Sequence, residues 1–261
     1  MGTHGDFVWY ELMTTDPEAA QAFYSGLLGW SFEDSSFNET DYRTFSGSKG
    51  QVGGFLGLSE EMISGGSRPA WLGYIDVDDL DAAIDKIKRH GGSVAFGPGE
   101  VPGVGPFAMV MGPQGAPFYL IDDQSGEPSV AYSKHEPTVG HCAWNELMTA
   151  DPSEAKTAYE DLFGWVVGDT MEMGPMGTYD MMKRRDADFM LGAIMKKPDE
   201  MPVSIWSYYF RVPDIDEAVA YIGANGAQII NGPMEIPGGD FALSGIDPQG
   251  AMFSLVGARK G

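Results

Sequence analysis

Residues 7–14, rich in aromatic and apolar side chains broken by Glu11 and Thr14, read with a two-residue period that places Trp9, Glu11 and Met13 on one side and Tyr10, Leu12 and Thr14 on the other. A period of two predicts a strand. Asp16 and Pro17 then open a helix. The aspartate can accept from the free amides of the first turn, proline suits the first helical position, and Glu18 complements the positive end of the dipole. Ala20, Phe23, Tyr24 and Leu27 make one helical stripe, predicted to pack on a sheet, and Gly29 supplies a left-handed stop. Strands are expected over residues 31–37, 42–47 and 51–58, with a mobile connector over 59–67. The pattern then restarts with a strand at 71–77, a helix capped by Asp79 or Asp81 and running to His90, and strands near 93–96, 107–111 and 117–121.

The whole order returns. Between residues 9–30 and 144–165, twelve of twenty-two positions are identical, and the same offset of 135 carries Trp71 onto Trp206, Asp79 onto Asp214 and Pro113-Gln114-Gly115 onto Pro248-Gln249-Gly250. A constant offset over several motifs means a duplicated domain. Each copy reads as two units of strand, helix and three strands, with helices on one face of antiparallel strands, which argues α+β. The expected organisation is a first domain over 1–125, a polar linker over 126–138 and a second domain over 139–261.

Composition narrows the partners. Thirty-eight acidic residues against sixteen basic ones give a net charge of −22, which repels nucleic acid and anionic membranes. The lone cysteine, Cys142, excludes an internal disulfide, and the polar start of the chain and the lack of a long apolar run point to a cytoplasmic protein. The four histidines are scattered, and His141 falls on the strand face opposite Glu146.

Several short signals occur in order, twice: a strand followed by Asp-Pro, a helix with Phe23-Tyr24 or Ala158-Tyr159, an L-x-G-W ending at Trp30 or Trp165, Val77-Asp78-Asp79 or Val212-Pro213-Asp214, and the Pro-Gln-Gly turn. In these the chain resembles the vicinal oxygen chelate superfamily of glyoxalase I, bleomycin-type resistance proteins and extradiol dioxygenases. Within it, the chain is similar to the metal-poor tandem glyoxalase-like group labelled as hydroxylases or secreted-antigen homologues. The resemblance implies paired βαβββ units curved into an incomplete barrel, helices outside, around a cavity. By register, the ion ligands of metallated relatives fall on Trp9, Tyr119 and a position near Leu72 in the first copy, and on Trp144, Ser254 and a position near Ser207 in the second. Indole, phenol, hydroxyl and alkyl groups do not make a divalent site, so neither a metal nor another cofactor is expected.

If Trp9 faces such a cavity, Glu11, Met13, Tyr74 and Asp76 share it, and Trp144, Glu146, Met148, Tyr209 and Arg211 form the second set. Glu11 and Asp76 would repel each other and raise one pKa, whereas Glu146 would pair with Arg211. Glu11, Asp76 and Glu146 are the candidate catalytic acids or bases, and for Glu11 and Glu146 a second reading stands, strand carboxylates accepting hydrogen bonds from neighbouring donors. Trp9, Met13, Tyr74, Tyr119, Trp144, Met148, Tyr209 and Arg211 are the expected ligand-lining residues, suited to an aromatic or carbonyl-bearing molecule. Two functions stay open, a glyoxalase-type lyase or metal-independent proton-transfer enzyme and a detoxifying binding protein. The alternative is a metal-dependent lyase, isomerase or dioxygenase with unusual ligands. The expected partner is a small molecule, with no nucleic acid and no membrane, in a monomer or homodimer.

Overall fold

The computed structural model describes residues 3–36 and 40–260. The first repeat runs β1 (Phe7–Thr14), α1 (Pro17–Leu28), β2 (Ser31–Asp34), β3 (Tyr42–Gly47), β4 (Gly50–Gly57), α2 (Glu60–Ser64), β5 (Ala70–Asp76), α3 (Leu80–Arg89), β6 (Ser93–Val101), β7 (Gly105–Met111) and β8 (Pro117–Ile121). The second runs β9 (Cys142–Thr149), α4 (Pro152–Phe163), β10 (Trp165–Glu172), β11 (Thr178–Arg184), β12 (Gly192–Lys196), β13 (Ile205–Arg211), α5 (Ile215–Ala224), β14 (Gln228–Glu235), β15 (Phe241–Ile246) and β16 (Met252–Gly257).

The helix ends follow their local chemistry. Asp16 accepts from the Ala19 amide at 3.0 Å, Asp151 accepts from Ser153 and Glu154, and Asp79, not Asp81, caps α3. Residues 59–67 are not a loose connector throughout. Ser59 accepts from the Met62 amide at 3.2 Å and Glu60 and Glu61 occupy the first turn, enough to form α2. The expected strand at 31–37 ends at Asp34, where the Asp34 carboxylate turns back to the Ser36 amide; Phe37 lies outside the described residues, as do Met1, Gly2 and Gly261.

Two open eight-stranded sheets result, in the orders β2-β3-β4-β1-β5-β8-β7-β6 and β10-β11-β12-β9-β13-β16-β15-β14; neither closes into a barrel. Sequential hairpins are antiparallel, while β1 with β4, β5 with β8, β9 with β12 and β13 with β16 are parallel. This is the α+β, twice-repeated architecture that the sequence predicts.

By compactness the chain divides into two discontinuous units. One comprises Met1–Val8, Gly73–Pro128 and Trp144–Trp206; the other comprises Trp9–Leu72, Ser129–Ala143 and Ser207–Gly261. Each therefore draws one βαβββ module from each repeat, and they are called here the α3/α4 unit and the α1/α5 unit. In the α1/α5 unit Trp30 at the end of L-x-G-W donates its indole N–H to the Gly140 carbonyl at 2.6 Å. In the α3/α4 unit Trp165 does the same to Gly5 at 2.8 Å. Gly5 has φ 84°, and an added Cβ would lie 2.9 Å from the Phe163 carbonyl, so both conformation and space demand glycine.

Each unit fills its centre with rings. Tyr24, Trp30, Phe55, Trp71, Phe210 and Phe253 pack in the α1/α5 unit. Phe7, Phe118, Tyr159, Phe163, Trp165 and Trp206 pack in the other. Burial of such side chains contributes roughly 1.5–3 kcal/mol each, so these clusters carry much of each unit's stability. Tyr24 satisfies its buried hydroxyl on Asp247 at 3.0 Å while accepting from Trp71 at 3.1 Å.

Candidate functional site

The same side-chain chain is built in both repeats. In the α1/α5 unit, alternation along β1 puts Trp9 and Glu11 on one face, and β3 supplies Tyr42. The Trp9 indole N–H donates to the Tyr42 hydroxyl at 3.0 Å, and that hydroxyl is hydrogen-bonded to Glu11. In register, Gly54 of β4 stands between β1 and β3, opposite both Glu11 and Thr44. A Cβ at Gly54 would lie 2.2 Å from the Tyr42 oxygen, so the missing side chain is what lets the phenol cross the intervening strand. Enclosure of the phenol, and then the nearby Glu11 carboxylate, push the Tyr42 pKa well above its ordinary value; the Trp9 donor opposes the rise. Tyr42 is thus a neutral donor at physiological pH.

In the α3/α4 unit Trp144 donates to Tyr179 at 2.7 Å and Tyr179 donates to Glu146 at 2.8 Å. Ala193, another small residue, stands opposite Glu146 on β12. Glu11 and Glu146 are 3% and 8% exposed, whereas Trp9 and Trp144 are half-buried. A buried carboxylate paired with a neutral phenol is held in place, and the indole anchored to that phenol is held with it.

The other expected residues divide. Met13 is buried and Met148 half-buried. Tyr74 of β5 and Tyr119 of β8 are register partners and stack at 4.2 Å with 11° between their planes. Tyr209 of β13 faces Ser254 of β16, whose hydroxyl meets that of Ser244 at 2.8 Å.

Two expected pairings are corrected. Arg211 does not find its carboxylate in Glu146: both of its terminal nitrogens engage Asp240, in the turn before β15, and this forked geometry suits a guanidinium. Asp76 is raised in pKa, but burial is the first cause, and the charges that add to it are Asp123 and Asp78, not Glu11. Its oxygens accept from the Thr3 hydroxyl and from the Asp123 amide at 3.1 Å, so it ties the start of the chain and the end of β8 to β5.

Tyr42 and Tyr179 are the residues that the sequence analysis passes over. Their separation is 137 rather than 135, so a fixed-offset comparison misses them; a tyrosine in the third strand of both copies was the available signal. At the positions that the resemblance assigns to an ion stand Trp9, Leu72, Tyr119, Trp144, Ser207 and Ser254. None is an imidazole, carboxylate or thiolate, and among the described residues no group of three His, Cys, Asp or Glu could hold a metal ion. The side chains present do not fit a divalent transition metal.

Known proteins bear on this geometry. The family model described as Glyoxalase/Bleomycin resistance protein/Dioxygenase superfamily matches residues 6–126 and again 138–255. CFP32 of Mycobacterium bovis, provisionally named a glyoxylase, is 32% identical over 95% of this chain and 93% of its own length. The anthracycline biosynthesis protein DauV of Streptomyces sp. strain C5 is 28% identical over 97% of this chain and 93% of its own. The Mn(II)-bound glyoxalase from Novosphingobium aromaticivorans superposes with a TM-score of 0.63 at 18% identity, covering 98% of this chain and 82% of that one. Homoprotocatechuate 2,3-dioxygenase from Arthrobacter globiformis gives 0.65 at 18% identity, over 98% and 80%. These two are likenesses of fold. With the family model matched in both repeats, the chain belongs to the glyoxalase/bleomycin resistance protein/dioxygenase superfamily.

Proposed function

We propose that this chain is a cytoplasmic protein of detoxification or secondary metabolism that binds a small planar organic molecule, aromatic or carbonyl-bearing, without a divalent metal. The observation that carries the reading is the Trp–Tyr–Glu chain present in both repeats. It fixes a half-buried indole through its N–H, and an aromatic side chain immobilised before binding pays little entropy when a flat molecule stacks on it. A metal-holding relative would need imidazole or carboxylate where these indoles stand. The relatives named for anthracycline biosynthesis support the choice of ligand class, since anthracyclines are planar polycyclic quinones.

A catalytic reading is supported by the burial of Glu11 and Glu146 beside neutral phenols, a setting in which a carboxylate can take a proton from a carbon acid next to a carbonyl. The phenol would hold the carboxylate in place while it does so.

Elemental analysis of the purified protein should find no stoichiometric transition metal; one tightly held equivalent overturns the metal-free reading. Planar aromatic ketones should raise the melting temperature and quench tryptophan fluorescence, and Trp9→Ala or Trp144→Ala should weaken one or both responses by about tenfold, or 1.4 kcal/mol. Where turnover is found, Glu11→Gln or Glu146→Gln should abolish it while sparing binding; unchanged turnover in both leaves a binding protein.

A further inference from the structure

The two repeats differ sharply in sulfur. Seven of the sixteen methionines lie within residues 165–196, from β10 to β12, whereas the matching stretch of the first repeat, 31–57, holds none. Several of the seven gather on the Trp–Tyr–Glu chain of the α3/α4 unit. Register places Met171, Tyr179, Met195 and Met148 in one row across β10, β11, β12 and β9. Met181 follows Tyr179 by two residues and Met148 follows Glu146 by two, so alternation keeps both on the face of the phenol and the carboxylate.

In the α1/α5 unit, Leu56 stands opposite Tyr42 where Met195 faces Tyr179, Thr44 takes the place of Met181, and Met13 takes that of Met148. Met13 is 5% exposed, but Met148, Met171 and Met181 are half-buried and within reach of small solutes. Leucine fills nearly the volume of methionine, so packing alone does not call for thioethers here. What the sulfur adds is a loose, polarisable side chain and a capacity for two-electron oxidation.

We infer that Met148, Met171 and Met181 are sites of reversible sulfoxidation by hydrogen peroxide, and that their oxidation releases Trp144 from its Tyr179–Glu146 anchor. The thioether sulfur gives an electron pair to one peroxide oxygen, the S–O bond forms as the O–O bond breaks, and the proton of the transferred hydroxyl passes to the departing hydroxide to give water. Sulfur is oxidised and peroxide reduced. The product sets a strong acceptor where an apolar group stood. On Met148 or Met181 it competes with Glu146 for the hydrogen that Tyr179 donates at 2.8 Å, and the indole that donates to this phenol at 2.7 Å loosens with it. Met182 and Met195, 1% and 8% exposed, are shielded. The Trp9–Tyr42–Glu11 chain, whose neighbouring thioether is the shielded Met13, keeps its anchor.

Trp30, Trp71, Trp165 and Trp206 are buried, so acrylamide quenching in a Trp9→Phe background reads Trp144. The full chain is treated with hydrogen peroxide and mapped by peptide mass spectrometry. Met148, Met171 and Met181 should gain oxygen ahead of Met13, Met182 and Met195, the quenching of Trp144 should rise about twofold, and methionine sulfoxide reductases should reverse both. Combining Met148→Leu, Met171→Leu and Met181→Leu should remove the rise; if that triple variant does not fold, Met148→Leu and Met181→Leu singly should each shrink it. Trp9, read in a Trp144→Phe background, should keep its quenching. Oxygen taken up first by the shielded methionines, quenching of Trp144 unchanged once the three sulfurs are oxidised, or a rise that survives the leucine replacements overturns the assignment. No ligand enters this test, so its failure leaves the proposed function standing.

Discussion

Tyr42 and Tyr179 give the paired tryptophan and glutamate of each repeat a common partner, and each does so from another strand of the same sheet. His141 shows the opposite fate for a chemically versatile side chain. It is 1% exposed, its Nδ1–H donates to the Val130 carbonyl at 2.7 Å, and its Nε2 accepts from the Lys49 amide at 3.1 Å. Both nitrogens are used, so it is a structural tie, and burial lowers its pKa from the usual 6.5. Protonation of Nε2 would set N–H against N–H. The folded chain therefore holds the ring neutral while the unfolded chain takes up the proton first. Stability is full above 6.5 and falls as pH drops from there through the lower folded pKa. Buried Asp76 and Asp247 are raised and act in the reverse sense, regaining stability as pH falls through their folded pKa values toward 3.8. The expected result in calorimetry is a melting temperature that declines below about pH 6.5, with the decline reduced in His141→Asn. Equal slopes in parent and variant remove His141 as its cause.

Among the elements, α1 and α4 are the most fully written in local terms: each opens with Asp-Pro and closes on glycine, and the offset of 135 carries Asp16-Pro17 and Gly29 onto Asp151-Pro152 and Gly164, where α4 starts and stops. Gly29 and Gly164 have φ of 69° and 67°, and an added Cβ at either would meet nothing within 4 Å. Space is therefore not the constraint; the left-handed backbone is. Gly29→Ala and Gly164→Ala should each cost about 1 kcal/mol by urea denaturation, with nearly additive losses in the double variant. A loss well above about 2 kcal/mol would mean a packing role that the geometry does not contain.

Charge acts on the entire molecule. Thirty-eight carboxylates against sixteen cations leave a net −22, and ion pairs such as Arg43–Asp41, Arg185–Glu160 and Arg259–Asp216 use up cations without changing that excess. Self-repulsion opposes the compact state, and raising salt from about 0.01 to about 0.15 M cuts the screening length from about 30 to about 8 Å. The melting temperature should therefore rise with sodium chloride over that range. A fall would mean that exposed ion pairs, rather than repulsion, dominate. Among the described residues no helix is long and apolar enough to cross a membrane.

The duplication, the α+β class, the helix caps and the strand at Tyr42–Gly47 follow from the order of residues, because each depends on contacts a few positions apart or on a pattern repeated at a constant spacing. The phenols that complete the Trp–Glu pairs do not follow, because hydrogen bonds joining residues 33 and 35 positions apart leave no local mark and an insertion breaks the offset. Nor does the choice of Asp240 for Arg211, which the β14–β15 turn makes by bringing a carboxylate within reach of the guanidinium. The assembly of each compact unit from modules of both repeats lies further still from any sequence pattern. It is made by packing, and by indole-to-carbonyl bonds spanning 110 and 160 residues, whose partners only the folded chain brings together.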